Sequence, residues 1–235
     1  MTYVMADIHG QYEAYMEMLE KISFSDEDEL YVLGDVVDRG TTPIKILKDM
    51  SMRANVFPIM GNHDYMAYSM LSKLSVEITE ENYGTHLTEW DIKSLSLWMA
   101  DGGDTTIADF RRLPRDEQAA ILEYMLEFAP YEELSVGGRE FVLVHGGLPD
   151  FEESKPLSEY CANSMLIERP DYSVRYYKNK YVINGHTPTK NVGKEYEGKI
   201  YKANGHIAID CGAGWNLALG CLRLDDMKEF YAPIK

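Results

Sequence analysis

The sequence predicts an α/β fold, in which short buried strands alternate with helices. Short runs rich in Val, Ile, Leu, Tyr and Phe, bounded by Gly, Asp or Asn, have the composition of strands. Most are almost continuously apolar, as expected for strands covered on both faces. Between the first two runs, Gln11–Ile22 carries apolar residues at helical spacing, and such alternation favours an α/β arrangement. The predicted strands are Tyr3–Met5, Leu30–Leu33, Val56–Met60, Phe141–Val144, Tyr181–Ile183, Ile207–Ile209 and Cys221–Leu224.

The middle of the chain departs from this alternation. From Tyr65 to about Pro130 the sequence has several helical stretches and no clear strand. Thr88 is the expected N-cap of one of these helices, Glu89–Met99. We therefore expect a single domain over residues 1–235, with a helical cap inserted at residues 65–130.

Length and charge limit the possible functions. The 235 residues suffice for one large domain, and 45% of them are apolar, so a packed core is easily formed. A net charge of −16 argues against a nucleic-acid partner, because phosphate backbones select clustered Lys and Arg. It does not exclude a phosphorylated substrate, since bound divalent ions reverse the local field.

The cysteines and the N-terminus favour a cytoplasmic protein. Cys161, Cys211 and Cys221 are odd in number and lack CxxC spacing, so we expect reduced thiols. The segment Met1–Met5 has no basic n-region, so no secretory signal is expected. No stretch approaches the ~20 apolar residues of a membrane span, so no membrane partner is expected. The oligomeric state stays open.

Five segments that follow apolar runs carry side chains that bind metals. In open α/β sheets, sites gather beyond the carboxyl ends of the strands, so these side chains are expected along one rim. Nearby glycines permit the tight turns that such a rim requires. A pair of divalent ions held by Asp, Asn and His can hydrolyse a phosphate ester. The segments are Asp7-Ile8-His9-Gly10, Gly34-Asp35-Val36-Val37-Asp38-Arg39-Gly40, Gly61-Asn62-His63-Asp64, His145-Gly146-Gly147 and Gly185-His186-Thr187.

Taken together, these segments resemble the PPP-type, calcineurin-like metallophosphoesterases. That family includes the serine/threonine protein phosphatases, the compact bacterial and phage protein phosphatases, and the symmetrical dinucleoside tetraphosphate hydrolases. The matched segments span residues 7 to 187 in the family's order. The segment Asp210–Gly214 resembles the bacterial members and not the eukaryotic ones. The resemblance implies a two-sheet β-sandwich flanked by helices, with the helical cap over the metal-binding rim.

The resemblance also implies two divalent metal ions as cofactors. Asp35 would bridge them, because its two carboxylate oxygens can reach two cations. An oxygen and nitrogen ligand set without thiolate fits manganese, iron or zinc, and manganese is the expected ion. A water or hydroxide between the ions would attack phosphorus in line, so no phosphoenzyme is needed. One ion would be held by Asp7, His9 and Asp35, and the other by Asp35, Asn62, His145 and His186.

Catalytic roles follow from the same resemblance. His63 matches the family's general acid, which protonates the leaving oxygen. Asp64 would orient His63 and raise its pKa. Arg39 matches the arginine that grips the phosphoryl oxygens, and Asp38 resembles an acid that hydrogen-bonds within the site.

A second phosphate-binding arginine is expected after the helical cap. Arg169 matches its counterpart in the compact bacterial members. Arg175 lies nearby in the sequence and is the alternative.

The expected reaction is the hydrolysis of phosphoserine and phosphothreonine in proteins, with phosphotyrosine also open because a water nucleophile is small. The alternative is a symmetrical dinucleoside tetraphosphate hydrolase, which would use the same metals to cut an anhydride. Such an enzyme should offer aromatic and basic groups for two nucleosides. The helical cap has aromatic residues but few Lys and Arg, which favours a phosphoprotein. A metal-binding protein without activity is a third interpretation, and the intact Asn62, His63, Asp64 and Arg39 argue against it.

Overall fold

A computed structural model describes residues 1–235, and two five-stranded β-sheets form its centre. The first sheet contains β1 (Thr2–Met5), β2 (Glu29–Leu33), β3 (Val56–Ile59), β9 (Ala218–Arg223) and β10 (Lys228–Pro233). Their order is β10-β9-β1-β2-β3. β1, β2 and β3 are parallel, whereas β9 pairs antiparallel with both β1 and β10.

The second sheet is built from the later part of the chain. It contains β4 (Tyr131–Val136), β5 (Arg139–Val144), β6 (Lys180–Asn184), β7 (Tyr201–Ala203) and β8 (His206–Ala208). Their order is β4-β5-β6-β8-β7, and β5, β6 and β8 are parallel. The predicted two-sheet sandwich is therefore confirmed, and each sheet contains three parallel strands.

Apolar side chains from both sheets meet in one buried layer. Val4 and Leu33 of the first sheet belong to the same cluster as Phe141, Ile183 and Ile207 of the second. Successive side chains of a strand point to opposite faces, so residues next to these in sequence face the helices outside. Burial on both faces explains why the central strands are continuously apolar in sequence.

Helices cover the outer face of the first sheet. They are α1 (Tyr12–Lys21), α2 (Pro43–Ser51), α3 (Asn62–Leu74), α4 (Glu89–Trp98), α5 (Asp104–Phe110) and α6 (Arg115–Met125), and a short α7 (Ala162–Met165) follows β5. The helices of the cap share one buried cluster with α1, α2 and the first sheet. The helical cap begins at α3, close to the predicted boundary, and its description as an insertion within one domain stays a prediction. No helix is both long and apolar enough to cross a bilayer.

A kink after α4 brings the helical cap to the rim of the sandwich. The π-type turn Met99–Gly103 contains two residues with non-helical backbone, Asp101 and Gly102. Gly102 has φ of 102°, and a Cβ there would lie 2.7 Å from the Arg39 side chain. Its carbonyl oxygen accepts a hydrogen bond from the Arg39 amide at 3.1 Å. Only glycine allows this close approach without strain.

Three strands were not predicted: β4, β7 and β10. Each lies at the edge of its sheet. Their side chains are partly exposed and include charged residues, for example Glu133 on β4 and Lys228 on β10. Edge strands commonly carry charges, so their sequences lack the apolar run that marks a central strand.

Candidate metal and phosphate site

The loops that follow β1, β2, β3, β5 and β6 bring the predicted ligands together at one rim. Within this rim, ligand atoms form two groups, each with members lying within 4.8 Å of one another. One group is His9, Asp35 and His63, and the other is Asp35, His145 and His186. Asp35 belongs to both, as a bridging carboxylate would.

The backbone at this rim is held in an uncommon conformation. Asp7, His9, Asp35, Arg39 and His186 all have positive φ, between 47° and 66°. Non-glycine residues with positive φ cost about 1–3 kcal/mol each and cluster at functional sites. Hydrogen bonds between the loops hold this geometry, including Asp7 N to Gly34 O at 3.0 Å and His9 N to Asp35 O at 2.9 Å.

Asn62 lies within the second ligand group. Its Oδ1 is 3.0 Å from His145 Nε2 and 2.9 Å from His186 Nδ1. Asp35 Oδ1 is 3.3 Å from the same His145 nitrogen. All four side chains predicted for the second ion therefore converge on one point.

The first ligand group differs from the predicted one. His9 Nε2 is 3.7 Å from Asp35 Oδ2, but the third member is His63. Asp7 is buried nearby, and its carboxylate accepts hydrogen bonds from the His186 amide at 3.0 and 3.1 Å. The ligand roles of Asp7 and of the other five residues stay predictions.

The imidazole rings are oriented as metal ligands require. His9 Nδ1 donates to the Val37 carbonyl at 2.9 Å, and His145 Nδ1 donates to the Leu33 carbonyl at 2.6 Å. In both rings the Nε2 lone pair is thereby directed into the site, an arrangement common around bound metals. Burial lowers the pKa of His9 to about 3, so its ring is neutral and can donate that lone pair.

Buried negative charge gives a second reason to expect cations. Burial and the nearby charges of Asp210 and Asp35 raise the pKa of Asp7 well above its usual range, and burial raises that of Asp210 to about 6. Buried carboxylates are costly unless they are paired with cations. The fully buried carboxylates here are those of Asp7, Asp35, Asp38, Asp64 and Asp210.

Carboxylate, amide and imidazole groups around this charge fit a pair of divalent ions of the manganese, iron or zinc type. When bound, such ions polarise phosphoryl oxygens and supply an activated water as nucleophile.

His63 is oriented by Asp38 and not by Asp64. Its Nδ1 donates to Asp38 Oδ2 at 2.7 Å. The same carboxylate accepts hydrogen bonds from Trp98 Nε1 at 2.7 Å and from Thr106 Oγ1 at 2.6 Å. Burial lowers the pKa of His63, but the charges of Asp35 and Asp38 outweigh burial and raise it above the ordinary value.

The prediction that Asp64 orients His63 is wrong. Asp64 lies in the first turn of α3, and its carboxylate turns back to accept hydrogen bonds from the amides of Gly61 at 3.1 Å and Val36 at 3.0 Å. A carboxylate at this position reaches the free N–H groups of the helix start, which explains the different contact. Asp64 thus ties together the loops that carry Asp35 and Asn62.

Arg39 lies between the two histidines of the first group. Its guanidinium donates to His9 Nε2 at 3.0 Å and to His63 Nε2 at 3.0 Å. It also pairs with Asp101 of the helical cap at 3.1 Å. A planar guanidinium beside the predicted metal ligands is well placed to bind two oxygens of a phosphoryl group.

Comparison with known families agrees with this geometry. The family model described as calcineurin-like phosphoesterase matches residues 2–190. The chain belongs to this family. The fold, the ligand order and the metal-type clusters are therefore those of a metallophosphoesterase.

Curated relatives of this calcineurin-like phosphoesterase include dinucleotide hydrolases. A symmetrical bis(5'-nucleosyl)-tetraphosphatase of Buchnera aphidicola subsp. Acyrthosiphon pisum (strain 5A) is 34% identical over 100 residues. Those residues are 42% of this chain but only 36% of that protein's length. A symmetrical bis(5'-nucleosyl)-tetraphosphatase of Proteus mirabilis (strain HI4320) is 27% identical over 272 residues, covering 99% of this chain and 97% of that protein.

Solved structures share the fold. A putative diadenosine tetraphosphatase superposes with a TM-score of 0.68 at 14% identity, covering 99% of this chain and 92% of its own. A protein serine/threonine phosphatase from Saccharomyces cerevisiae gives a TM-score of 0.55 at 13% identity, covering 100% and 79%. At these identities the two similarities establish a shared fold and nothing more. The two proteins are also named for different substrates, so the fold does not choose between them.

This phosphoesterase also has a cavity of about 400 Å³ over the rim where the predicted metal ligands meet. Asp35, Asn62, His63 and His186 form part of its wall. Three cationic side chains, one exposed acid, one amide and one indole complete its polar lining, namely Arg39, Arg169, Lys190, Asp101, Asn191 and Trp215.

Of the two candidate arginines, only Arg169 lines this cavity. Arg175 instead donates its Nε to the carbonyls of Tyr177 at 2.9 Å and Lys178 at 3.3 Å, and its guanidinium packs near Gly205. Arg169 is therefore the arginine that can reach a bound phosphoryl group.

Sequence reasoning missed Asp101, Lys190, Asp210 and Trp215. Lys190 follows His186 in the same loop, and this closeness in the sequence could have predicted that Lys190 lies at the rim. Asp210 follows β8, a predicted strand, and could have been found by the same rule. Asp101 and Trp215 sit on turns, and no residue pattern marks either of them.

Proposed function

We propose that this phosphoesterase hydrolyses a phosphoanhydride bond of dinucleoside polyphosphates. The observation that carries the proposal is the pair of cations Arg169 and Lys190, which line the cavity without forming an ion pair with any carboxylate. Arg39, by contrast, is paired with Asp101 at 3.1 Å. Cationic side chains that have no carboxylate partner suit a substrate with more than one phosphoryl group.

The charge distribution supports this choice. The chain has a net charge of −16, with 39 acidic and 23 basic side chains, yet three of the basic ones meet at one cavity. A phosphomonoester needs little beyond the metal ions, Arg39 and Arg169, so Lys190 is the cation left for a further phosphoryl group. The point charge of its ammonium can hold such a group along a polyphosphate chain.

The basic and aromatic groups expected of a nucleotide enzyme come from outside the helical cap. The sequence favoured a phosphoprotein because the cap has few Lys and Arg. Arg169, Lys190 and Trp215 instead come from the loops around the second sheet. The reason for preferring a phosphoprotein is thereby removed. The names of the curated relatives, which are dinucleoside tetraphosphatases, support the same proposal.

The residues at the cavity have separate tasks in this reaction. Arg39 and Arg169 bind and orient phosphoryl oxygens. In the substrate-free site Arg39 donates to His63 Nε2, and a bound phosphoryl group competes for those N–H groups. His63 Nε2 is then free to carry a proton toward the leaving phosphate, while Asp38 holds the opposite ring nitrogen at 2.7 Å.

Phosphoprotein hydrolysis is the second candidate. The exposed Asp101 at the cavity and the acidic surface would suit a basic phosphopeptide. The two candidates share every residue that handles the transferred phosphoryl group, so only substrate comparison separates them.

The test compares catalytic efficiency on both substrate classes. Protein stripped with EDTA and reloaded with Mn²⁺ is given diadenosine tetraphosphate and, separately, phosphoserine, phosphothreonine and phosphotyrosine peptides. We expect kcat/KM for the dinucleotide to exceed that for every peptide by about 100-fold or more, a difference of roughly 2.8 kcal/mol in transition-state binding. A peptide that matches or exceeds the dinucleotide would refute the proposal.

Lys190 provides the matched variant. Lys190→Met should weaken the dinucleotide reaction by about tenfold and leave a monoester nearly unchanged. Lys194→Met, an exposed lysine on the following turn, serves as the control and should change neither. Equal losses on both substrates would mean that Lys190 does not recognise the extra phosphates.

A further inference from the structure

We propose that Trp215 is the platform on which one nucleobase of the substrate stacks. This inference rests on the proposed function and adds the part of the substrate that the phosphate-binding residues do not recognise. The indole lies in the turn Ala213–Trp215, lines the metal-site cavity and is 52% exposed. A large aromatic side chain this open beside a phosphate site can take a flat ligand on the part of its surface that the Arg39 and Lys190 cations do not cover.

The surroundings of the ring favour a nucleotide over other flat ligands. The Arg39 guanidinium lies 4.8 Å from the centre of the Trp215 ring, and the Lys190 ammonium lies 5.0 Å from it. Arg39 is the residue that also contacts His9 and His63. The ring therefore borders the place where phosphoryl groups bind, so a base and its own phosphates can be bound together.

The turn that carries the ring is fixed to the metal rim. Gly212 has φ of 83° and Asn216 has φ of 58°, and these two residues bound the turn. The Gly212 amide donates to Asp210 Oδ1 at 2.8 Å. A Cβ at Gly214 would collide with the His9 imidazole, so the backbone packs directly on a predicted metal ligand. The ring is consequently held at a set distance from the reacting phosphoryl group, as a preorganised site requires.

A second exposed tryptophan shows why position matters. Trp90 on the helical cap is 68% exposed, and the Lys73 ammonium lies 5.9 Å from its ring. A lysine near an open indole therefore does not by itself distinguish Trp215 from Trp90. Trp90 does not line the metal-site cavity, whereas Trp215 does, and Trp90 therefore serves as a matched control.

The inference predicts recognition of the base by stacking alone. Stacking on an aromatic ring tolerates different bases, because each base has a π-face. Diadenosine and diguanosine tetraphosphates should therefore be used with similar efficiency.

The test measures binding in the Mn²⁺-loaded protein, with ADP as the probe that carries a base and inorganic pyrophosphate as the probe that lacks one. Calorimetry should show that Trp215→Ala weakens ADP binding by about tenfold or more and leaves pyrophosphate binding within about twofold of wild type. Trp215→Phe keeps an aromatic face and should recover most of the ADP affinity. Trp90→Ala should change neither affinity.

Quenching of indole fluorescence gives an independent readout. ADP should quench the emission of wild type and of Trp90→Phe, and this quenching should be absent in Trp215→Phe. Unchanged ADP affinity in Trp215→Ala would overturn the inference, and so would an equal loss of ADP and pyrophosphate affinity, since the ring would then act only through Arg39. If wild type leaves diadenosine tetraphosphate intact while Trp215→Ala still loses ADP selectively, the proposed reaction fails and the base platform stands.

Discussion

Replacing Asp38 with Asn removes one buried charge and keeps the shape of the side chain. Three donors meet its carboxylate: His63 Nδ1, Trp98 Nε1 and Thr106 Oγ1, at 2.7, 2.7 and 2.6 Å. An asparagine can present its oxygen to His63 and Trp98 and its amide to Thr106, whose hydroxyl can also accept. The substitution therefore tests the charge with little disturbance of packing.

The expected effect follows from the hydrogen bond to His63. Bonds to charged groups contribute about 1.5–3 kcal/mol and neutral ones about 0.5–1.5 kcal/mol, so the protonated ring loses roughly 1.4 kcal/mol of stabilisation. At a pH above the pKa of His63, that loss lowers the protonated fraction of the ring, and hence the rate, by about tenfold. Asp35 and Asp38 raise the pKa of His63 against the effect of burial. A general acid with a raised pKa is active below it and loses activity as pH rises through it, so Asp38→Asn should move the alkaline limb to lower pH.

The assay is the pH profile of kcat/KM for a phosphoserine peptide, because its alkoxide leaving group needs the proton of His63. Wild type, Asp38→Asn and the control Asp104→Asn, an exposed acid at the start of α5, are loaded with Mn²⁺ and checked for equal metal content. The control should overlay wild type. A lower rate with an alkaline limb at the wild-type position would refute the reasoning, because Asp38 would then support the fold without tuning His63.

Three further outcomes are expected. His63→Asn should slow phosphoserine hydrolysis by about 100-fold or more but dinucleotide hydrolysis by much less, because a phosphate leaving group with a pKa near 6 needs little protonation. Equal losses on the two substrates would contradict the role of His63 as the general acid. Thr88→Ala removes the N-cap that accepts from the Asp91 amide at 3.1 Å, and urea unfolding should show a loss of about 1 kcal/mol with unchanged activity. Mn²⁺ at about 1,000 times its Kd should stabilise the EDTA-treated protein by about 4 kcal/mol in thermal unfolding, and Asp35→Asn should abolish most of that gain.

The sequence predicted the centre of the fold better than its edges. β1, β2, β5 and β6 were found because strands buried on both faces must be apolar along their length. β4, β7 and β10 lie at sheet edges, where one side of the strand faces solvent and charged side chains break the pattern. Each pairs antiparallel with the strand next to it in sequence across a short turn, such as Gly137-Gly138 between β4 and β5, so the available signal was the hairpin turn and not an apolar run.

The same distinction applies to the site. The predicted ligands follow strands, so the parallel arrangement of β1, β2 and β3 in one sheet and of β5 and β6 in the other carries them to one rim. The partner of His63 was misassigned because Asp64 is its neighbour in sequence, whereas Asp38 reaches it from another loop. Trp215 went unnoticed because its place beside Arg39 depends on the path of the chain after β8.

The most direct test of the account is the fate of diadenosine tetraphosphate in oxygen-18 water, followed by mass spectrometry of the products. With Mn²⁺-loaded protein we expect two molecules of ADP for each dinucleotide, one of which carries a single oxygen-18 from the attacking water. His63→Asn should give the same products more slowly. An intact dinucleotide, under conditions where the same protein releases labelled phosphate from a phosphopeptide, would contradict the central claim.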